Sequence, residues 1–504
     1  MSSPRSPKRP ASPKSPASPA SPASPAGPPS PAGPASPAGP ASPAGPASPA
    51  SPASPGSPPS PAGPASPENP RLPPAAPLPA WVEADRRHVW HPYTQAQTAP
   101  PPLPVVRAEG VYLYTADGRR LLDGISSWWV NIHGHNHPRL NRALAAQAER
   151  LAQVIFAGLT HEPAARLAAA LAERVPGRLP WVFYVDDGST AVEAALKMAY
   201  QHWRHRGEPD RTLFVAFDDA YHGDTFGAMA AGGVAAFHAA WSELFFAVRR
   251  ARTPHSAAAG SASPPLAEIL GREGERVAAV ILEPMLQGAG GMLVQPPAFL
   301  REVRELASRH GVPLIADEVL TGFGRTGRLF ACEHGPIAPD LLCLSKALTG
   351  GYLPLAATLA SDEIYRSFLS TDRSRTFFHG HSFTANALAC AVALESLALF
   401  EEEDRLGRIA RLERLFAGRL AALSSHPAVA AVRHLGGMAA LELAPAAGGG
   451  YLDDLGPRLA SRLLEHGLLL RPLGNILYLL PPYVITDAEA SAAFDAIAAV
   501  LDTL

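Results

Sequence analysis

Two residues in the second half of this 504-residue chain form a pair that can carry out chemistry. Lys346 lies in the segment Leu-Cys-Leu-Ser-Lys-Ala-Leu-Thr-Gly-Gly, and Asp317, 29 residues earlier, ends the apolar run Val-Pro-Leu-Ile-Ala-Asp. A lysine amine can form a Schiff base with the aldehyde of pyridoxal phosphate, and a carboxylate can keep the pyridine nitrogen of that cofactor protonated. The pair therefore predicts a pyridoxal 5'-phosphate enzyme in which Asp317 helps the ring to draw electrons from a substrate.

Further polar residues follow short apolar runs that read as buried strands. The predicted strands are Trp181–Val185, Thr212–Phe217, Val277–Leu282, Val312–Ala316 and Leu341–Leu344. The polar residues at their C-terminal ends are Asp187-Gly188-Ser189, Tyr221-His222-Gly223-Asp224, Glu283, Asp317 and Lys346. Ligands of open α/β sheets bind beyond the carboxyl ends of the strands, so these residues are expected to share one site.

Gly188 and Ser189 open a predicted helix and could hold the cofactor phosphate. Free N–H groups and the positive end of the helix dipole favour an anion at this position. The alternative is an ordinary helix cap by Ser189 or Thr190, with Glu193 completing a capping box. The presence of Lys346 and Asp317 favours the phosphate. Tyr221 could stack on a flat cofactor ring, the alternative being a core tyrosine.

Longer helical patterns alternate with the strands, which predicts an α/β fold with a mostly parallel sheet covered on both faces. The predicted helices are Pro138–Gln153, Ala164–Glu173, Thr190–Arg204, Pro297–His310 and Ala385–Phe400. After about residue 400 a long helical stretch precedes short strands, predicted at Val429–Val432, Ala439–Leu443 and Ile476–Leu480. We therefore expect a large domain at 136–400 and a smaller α+β C-terminal domain at 401–504.

The first 80 residues differ in composition from the rest. They contain 29 of the 55 prolines and consist almost entirely of Ser, Pro, Ala and Gly, so residues 1–80 are predicted to be a disordered tail. The tail carries five basic residues and one acidic residue, while the whole chain has a formal net charge of −2. The remainder is therefore mildly acidic and gives no electrostatic case for nucleic acid.

Cysteine usage and hydropathy bear on the compartment. The chain has three cysteines, Cys332, Cys343 and Cys390, with no ligand-like spacing, which favours reduced thiols in a cytoplasmic protein. Neither a secretory signal nor an apolar run long enough to span a membrane is expected.

Three motifs suggest other functions and are set aside. The run His133-Gly-His-Asn-His137 resembles a metal site but lacks a complementary acid or cysteine, so no metal is expected. The run Gly322-Phe-Gly-Arg-Thr-Gly327 nearly matches a dinucleotide fingerprint but lacks the strand–turn–helix context. Ser345 has no general-base arrangement typical of a hydrolase.

Several longer segments together resemble the class III aminotransferases, whose architecture is the fold type I pyridoxal phosphate fold. The resemblance covers about residue 81 to the end. It rests on the stretches His88–Thr94 (His-Val-Trp-His-Pro-Tyr-Thr), Asp123–Trp129 (Asp-Gly-Ile-Ser-Ser-Trp-Trp), Tyr221–Gly227, Glu283–Gly291, Ala316–Gly327 and Ser345–Gly351.

The resemblance implies a role for each matching residue. Lys346 is the catalytic lysine. Tyr93 is also assigned to catalysis and lines the substrate cleft with Trp128. Gly188, Ser189, Tyr221 and Asp317 bind the cofactor, joined by His381 and Ser382 from the partner subunit of a homodimer. Trp128, Tyr221, Lys346 and Arg471 bind substrate, with Gly380 contributed by the other subunit. Residues 81–135 are expected to contribute to the substrate cleft.

Within the family, the His88–Thr94 and Asp123–Trp129 stretches resemble the branch that acts in biotin synthesis. This branch transfers an amino group from S-adenosylmethionine to 8-amino-7-oxononanoate, giving 7,8-diaminononanoate in a ping-pong reaction through pyridoxamine phosphate. The alternatives are another ω-amino substrate, or lysine as the donor. A different class of function, an interaction protein working through its tail, predicts missing catalytic residues, yet Lys346 and Asp317 are both present.

Four positions depart from the family pattern. Asp187 stands where serine is usual, so its carboxylate is expected to point away from the phosphate or to be neutralised. His381-Ser382 replaces Pro-Thr, and Leu473 stands where an aromatic residue is common near the substrate arginine.

Overall fold

A seven-stranded sheet forms the centre of the fold in the computed structural model, which describes residues 78–444, 451–452 and 454–504. The strands lie in the order Trp181–Val185, Ala356–Ala360, Leu341–Leu344, Leu314–Asp317, Val277–Leu282, Leu213–Phe217 and Val248–Ala251. Only Ala356–Ala360 runs antiparallel to its neighbours within this sheet. The mostly parallel sheet is confirmed, and its central strands are buried along their whole length, as strands covered on both faces should be.

All five predicted strands form, with bounds that move by at most two residues. Two further strands of this seven-stranded sheet were not predicted. Val248–Ala251 contains Arg249 and Arg250, so it lacks the apolar pattern of the others. Arg250 is accommodated because its guanidinium donates to backbone carbonyls of the segment 230–232. Ala356–Ala360 is short and rich in alanine, which does not indicate a strand.

The helices cover the sheet and build the smaller parts of the molecule. They are Ala80–His88, Pro138–Ala148, Glu162–Arg174, Gly188–His205, Phe226–Ala231, Ala235–His238, Pro254–Ala258, Leu266–Glu273, Pro297–Arg309, Asp362–Arg366, Ala387–Glu402, Arg405–Leu423, Leu455–Glu465 and Asp487–Leu501. Ser126–Trp129 forms a single turn with positive φ values. Short 3₁₀ turns lie at Ala239–Leu244, Gly274–Arg276, Ala331–His334, Lys346–Thr349 and Arg373–Arg375.

The predicted helix starting at Pro138 is five residues too long. It ends at Ala148 because the chain turns at Gln147. The carbonyl of Gln147 accepts from the N–H groups of Arg150 and Leu151, and its side chain donates to the Leu151 carbonyl. The bond from Arg150 spans three residues rather than four, so the last turn tightens and the helix stops.

Two smaller sheets connect the ends of the described chain. Val105–Glu109, Tyr112–Thr115 and Arg120–Asp123 form an antiparallel meander, to which Leu468–Leu469 adds a parallel strand. Val429–Leu435, Met438–Leu443 and Ile476–Leu479 form an antiparallel sheet, close to the three predicted strands. The N-terminal segment therefore pairs directly with the C-terminal part of the chain.

Leu286–Gln287 and Leu293–Val294 form a two-stranded hairpin. In the described part of the chain, no helix has the length and apolar character needed to cross a membrane. The predicted disordered tail, residues 1–80, lies outside the described residues except for its last three.

Candidate active site

A cavity of about 590 Å³ lies beyond the carboxyl ends of the parallel strands. Its wall includes most of the residues that the sequence singled out. These are Trp128, Gly188, Ser189, Tyr221, Asp317 and Lys346. The strand ends therefore converge as predicted, because parallel strands present their carboxyl ends at the same edge of a sheet.

Lys346 is held at the base of the cavity directly after the strand Leu341–Leu344. It begins a 3₁₀ turn in a left-handed conformation, with φ of 45°, and the preceding Ser345 donates its hydroxyl to the Leu355 carbonyl at 3.0 Å. Burial lowers the pKa of Lys346 to about 8, although Asp317 and Glu283 oppose that shift. A larger fraction of its amine is therefore neutral near pH 7 than for an ordinary lysine, which suits a nucleophile or proton carrier.

Asp317 is buried and held by two hydrogen bonds. His222 Nδ1 lies 2.7 Å from Asp317 Oδ2, and the Val319 N–H donates to Oδ1 at 3.0 Å. An ionised carboxylate only accepts, so a proton on His222 Nδ1 would be donated to Asp317. The other ring nitrogen of His222 is buried and has no hydrogen-bond partner. This carboxylate is thus fixed in position to stabilise a protonated nitrogen in the cavity.

Glu283 forms a second buried carboxylate beside Asp317. Burial first, and then the charge of Asp317, raises the pKa of Glu283 to about 8. Its oxygens accept from the N–H groups of Tyr221 at 2.9 Å and Gly288 at 3.1 Å. Glu283 therefore fixes the backbone of Tyr221, the residue predicted to stack on the cofactor.

The helix Gly188–His205 begins at the cavity, and its cap differs from the one considered from the sequence. The N-cap is Asp187, whose carboxylate accepts from the Thr190 N–H at 3.0 Å while the Thr190 hydroxyl returns the capping box. Glu193 takes no part in the cap and instead accepts from the Gly227 N–H at 2.6 Å. The cap by Ser189 or Thr190 with Glu193 was therefore wrong, because the helix begins at Gly188 and Asp187 occupies the position before its first turn.

This cap accounts for the unusual aspartate. The Asp187 carboxylate accepts from the Thr190 N–H of its own helix, while Asp187 also lines the cavity, so the expectation that it points away from the phosphate stays a prediction. Gly188 lies so close to Val319 that an added Cβ would be 2.5 Å from its Cγ1. Only glycine therefore fits at this point of the cavity wall.

Aromatic residues surround the cavity entrance. The Tyr93 hydroxyl donates to the Asp224 carboxylate at 2.8 Å and lies 3.4 Å from the Tyr221 hydroxyl. Burial is the main cause that raises the pKa values of both phenols, so both stay protonated. Tyr93 also packs edge-to-face on Trp128, with ring centroids 5.7 Å apart.

Arg471 joins this aromatic group from the C-terminal part of the chain. Its guanidinium carbon lies 4.6 Å from the Trp128 ring centroid and 5.7 Å from that of Tyr93. Within the described residues the Arg471 guanidinium makes no hydrogen bond or ion pair. Three residues that were singled out separately are thus brought together, and they leave a cation free to bind an anion.

Sequence reasoning missed other residues of the entrance. The Phe237 ring packs edge-to-face on Tyr93 at 5.7 Å, on Tyr221 at 5.9 Å and on Tyr451 at 4.6 Å. Phe237 lies in a four-residue helix within an alanine-rich stretch, where nothing in the local pattern indicated a site. His222 was expected at this strand end, but its contact with Asp317 was not predicted.

Gly380, His381 and Ser382 do not line the cavity of this chain. His381 Nδ1 lies 3.0 Å from Asp186 Oδ2, and Asp186 does line the cavity. Ser382 is exposed, and its carbonyl accepts from the Gln153 amide at 2.9 Å. Their assignment to the site of a partner subunit stays a prediction.

The histidine run and the glycine-rich run have structural roles. His133 Nε2 lies 3.0 Å from Ser396 Oγ, His135 bonds Asp123, and His137 caps the helix Pro138–Ala148. Among the described residues, no three His, Cys, Asp or Glu side chains are grouped to hold a metal ion. Arg325 is fully buried and donates to the carbonyls of Trp129, Asn131 and Pro481.

The residues around the cavity suit pyridoxal phosphate. A lysine with a lowered pKa, a fixed buried carboxylate and the first turn of an 18-residue helix surround one space. These can bind an aldehyde, a pyridine nitrogen and a phosphate, respectively. Tyr221 and Val319 also line the space and offer apolar surface to a ring.

Comparisons with known proteins agree with this geometry. The family described as aminotransferase class-III matches residues 93–501. A protein of Synechococcus elongatus named adenosylmethionine-8-amino-7-oxononanoate aminotransferase is 48% identical over 424 residues, covering 83% of this chain and 99% of the relative. A protein of the same name from Geobacter sulfurreducens is 44% identical, covering 82% and 95%.

Solved structures give the same family. The crystal structure of adenosylmethionine-8-amino-7-oxononanoate aminotransferase from Methanocaldococcus jannaschii superposes with a TM-score of 0.77 at 37% identity, covering 83% of this chain and 98% of the other. That of an (S)-enantioselective omega-transaminase from Thermomicrobium roseum gives 0.79 at 33%, covering 84% and 98%. The chain belongs to the class III aminotransferases, a family of pyridoxal phosphate-dependent enzymes.

Proposed function

We propose that this enzyme transfers an amino group from S-adenosylmethionine to 8-amino-7-oxononanoate, giving 7,8-diaminononanoate, a step of biotin synthesis. The relatives named for that reaction support the proposal, since they align with the chain over almost their whole length. The geometry supports it through one observation above all. The Arg471 guanidinium lies against Trp128 and Tyr93 at the entrance and has no ion-pair partner in the described part of the chain.

The acceptor explains why such an entrance is needed. It is a long apolar chain that ends in a carboxylate, so it suits an aromatic wall with one cation. Arg471 can bind the carboxylate, while Trp128 lies alongside the chain. The sulfonium of the donor would in turn be attracted to the faces of the same aromatic rings.

We infer the following roles for the residues at the base of the cavity. Bound pyridoxal phosphate would accept the amino group from one substrate and deliver it to the other, which gives the ping-pong order. Lys346 would bind the cofactor covalently and move the proton between the reacting carbons, for which its lowered pKa suits it. Asp317, held by His222, would keep the ring nitrogen protonated.

The remaining contacts would orient the cofactor and the substrates. Gly188 and Ser189 would donate backbone N–H groups to the phosphate at the helix N-terminus. Tyr221 would lie against the ring, with its backbone fixed by Glu283. Tyr93, through its hydrogen bond to Asp224, would present a protonated hydroxyl to the substrate amine or ketone.

We further propose a homodimer working in the cytoplasm. The segments 152–161 and 378–386 are hydrogen-bonded to each other and expose large apolar side chains, as an interface would. Phe378 is 76% exposed and Phe383 61%, and both flank His381 and Ser382. In such a dimer His381, Ser382 and Gly380 would complete the partner's site. The three cysteines are free and buried, which suits a reducing compartment.

A second candidate is an ω-aminotransferase acting on another amine, or on the same acceptor with lysine as donor. It is favoured by the omega-transaminase structure, which superposes as well as that of the named relative, so fold does not separate the two. Sequence identity is higher to the named relatives.

A product assay separates the candidates. Purified full-length protein loaded with pyridoxal phosphate receives 8-amino-7-oxononanoate and, in separate reactions, S-adenosylmethionine, lysine or alanine, and mass spectrometry measures 7,8-diaminononanoate. We expect product with S-adenosylmethionine only. Product formed with lysine instead would show that lysine, and not S-adenosylmethionine, is the amino donor. Amination of simple ketones without any diaminononanoate would favour the second candidate over the proposed function.

A further inference from the structure

The turn that carries the two tryptophans of the cavity has an unusual backbone. Ser126, Ser127, Trp128 and Trp129 all have positive φ values, of 50°, 59°, 139° and 71°. A positive φ is uncommon even for one residue that carries a side chain. Four such residues in succession form an unfavourable backbone conformation. Strain of this kind persists only where surrounding contacts fix the backbone, and it tends to occur at functional sites.

Asp123 supplies several of these contacts from just before the turn. Its side chain is fully buried. Oδ1 accepts from the Ser127 N–H at 2.9 Å and the Ile125 N–H at 3.3 Å, and Oδ2 accepts from the Ser127 hydroxyl at 2.8 Å. His135 Nε2 lies 2.9 Å from Oδ2, so the carboxylate has four partners.

Contacts from other parts of the chain hold the far side of the turn. The Ser126 hydroxyl donates to the Leu480 carbonyl at 2.8 Å. Arg325 donates to the Trp129 carbonyl at 3.0 Å, and the Trp129 indole N–H donates to the Tyr478 hydroxyl at 3.0 Å. The turn is therefore fixed at both ends. Among the described residues, Asp123 is the charged side chain that accepts a backbone N–H of the turn, that of Ser127, and it also accepts the N–H of Ile125 just before the turn.

The orientation of this turn matters for both substrates and the lysine. The Trp129 ring lies against Lys346, whose Nζ is 4.7 Å from the ring centroid. Trp128, the next residue toward the entrance, lies against Arg471 and Tyr93. A relaxed turn would rotate both indoles out of these positions.

We propose that Asp123 is a positioning residue that holds the Ser126–Trp129 turn in its left-handed conformation and so sets the width of the substrate cleft. Asp123 does not line the cavity, so it acts only through the turn. The inference rests on the proposed function for its kinetic consequence, whereas its structural consequence can be measured without any substrate.

The experiment compares Asp123→Asn with wild-type holoenzyme. We expect a loss of the near-ultraviolet circular dichroism of the tryptophans, a KM for 8-amino-7-oxononanoate raised about tenfold, and cofactor absorbance that is retained. Asp117→Asn is the matched control. Asp117 accepts from Arg119 in the turn that precedes the strand Arg120–Asp123, so this substitution should alter none of the three readouts.

Changes at Ser127 separate a positioned turn from a merely stable one. Glycine adopts positive φ without steric cost, so Ser127→Gly should return the KM of Asp123→Asn to within about threefold of wild type. Ser127→Ala keeps the strain and loses the hydroxyl, so it should raise KM by itself even if Asp123→Asn does not fold.

Three results would overturn the inference. The first is unchanged dichroism and KM in Asp123→Asn. The second is a further rise in KM when Ser127→Gly is added to Asp123→Asn. The third is an equal KM for the single variants Ser127→Ala and Ser127→Gly. If wild-type protein makes no diaminononanoate, the proposed function fails, and the dichroism of the Asp123 and Ser127 variants still decides the role of the turn.

Discussion

The base and the entrance of the cavity are built in different ways. At the base, Asp317 ends one strand and is buried, and Lys346 follows the adjacent parallel strand by two residues and is half-buried. At the entrance, Tyr93, Trp128 and Arg471 come from segments far apart in sequence and are partly exposed. The base thus supplies charge and reactivity that any transamination needs, whereas the entrance supplies the shape and charge that select a substrate. Changes at the base should therefore abolish the reaction, and changes at the entrance should alter which substrate is used.

Loss of the lysine should have the largest effect. We expect Lys346→Ala to lower kcat by about a thousandfold or more with every donor, because the nucleophile and the proton carrier are both removed. Steady-state assays with each donor measure the change. A variant that keeps a tenth of the activity would place the chemistry elsewhere.

Loss of the buried carboxylate should come next. Asp317→Asn removes the charge that stabilises a protonated ring nitrogen, and we expect kcat to fall by about a hundredfold or more while KM changes little. Single-turnover kinetics with one substrate at a time separate this effect from product release. A change confined to KM would show that Asp317 binds substrate instead.

Arg471 tests the entrance. Arg471→Ala should raise the KM for 8-amino-7-oxononanoate about thirtyfold, since a charge-assisted contact to the carboxylate is lost. Lysine at this position should recover only part, because it lacks the planar fork of guanidinium. Arg458→Ala, on the exposed helix Leu455–Glu465, is a control that should behave as wild type. Equal KM values for the Arg471 and Arg458 variants would show that Arg471 does not bind the substrate carboxylate.

Tyr93 should show a smaller effect at the same entrance. Tyr93→Phe keeps the ring packed on Trp128 and removes the hydroxyl that donates to Asp224. We expect a fall of about tenfold in kcat/KM. If the activity falls as far as in Lys346→Ala, Tyr93 belongs functionally to the base.

The pH dependence should be the mildest of these effects. Burial lowers the pKa of Lys346 from 10.5 to about 8, so the neutral amine becomes the major form above about pH 8 rather than above pH 10. The rate at which apoenzyme takes up pyridoxal phosphate should therefore rise with pH and level off above about pH 8. A rate that keeps rising to pH 10 would mean that the amine is not desolvated.

The base could be predicted from the sequence more fully than the entrance. Each residue of the base follows an apolar run, and parallel strands bring such ends together, so Gly188, Tyr221, Asp317 and Lys346 were placed in one site before any coordinates. The entrance depends on contacts between distant segments, which periodicity does not show. Tyr93, Trp128 and Arg471 were expected there only through the family resemblance, and Phe237 was not expected at all.

Predictions from local residue preferences failed at a helix cap and at a turn. Ser189 and Thr190 are good caps, yet Asp187 caps the helix because it precedes the first turn. The left-handed turn Ser126–Trp129 has no glycine to indicate it, since distant partners such as Leu480 and Arg325 stabilise it.

Trapping the lysine tests the account most directly. Borohydride reduces the bond between a lysine amine and bound pyridoxal phosphate to a stable linkage, and peptide mass spectrometry locates it. In the full-length protein we predict the added mass on the peptide that contains Lys346, together with loss of the visible cofactor band. A cofactor trapped on another lysine, or none trapped at all, would contradict the assignment of the chemistry to Lys346.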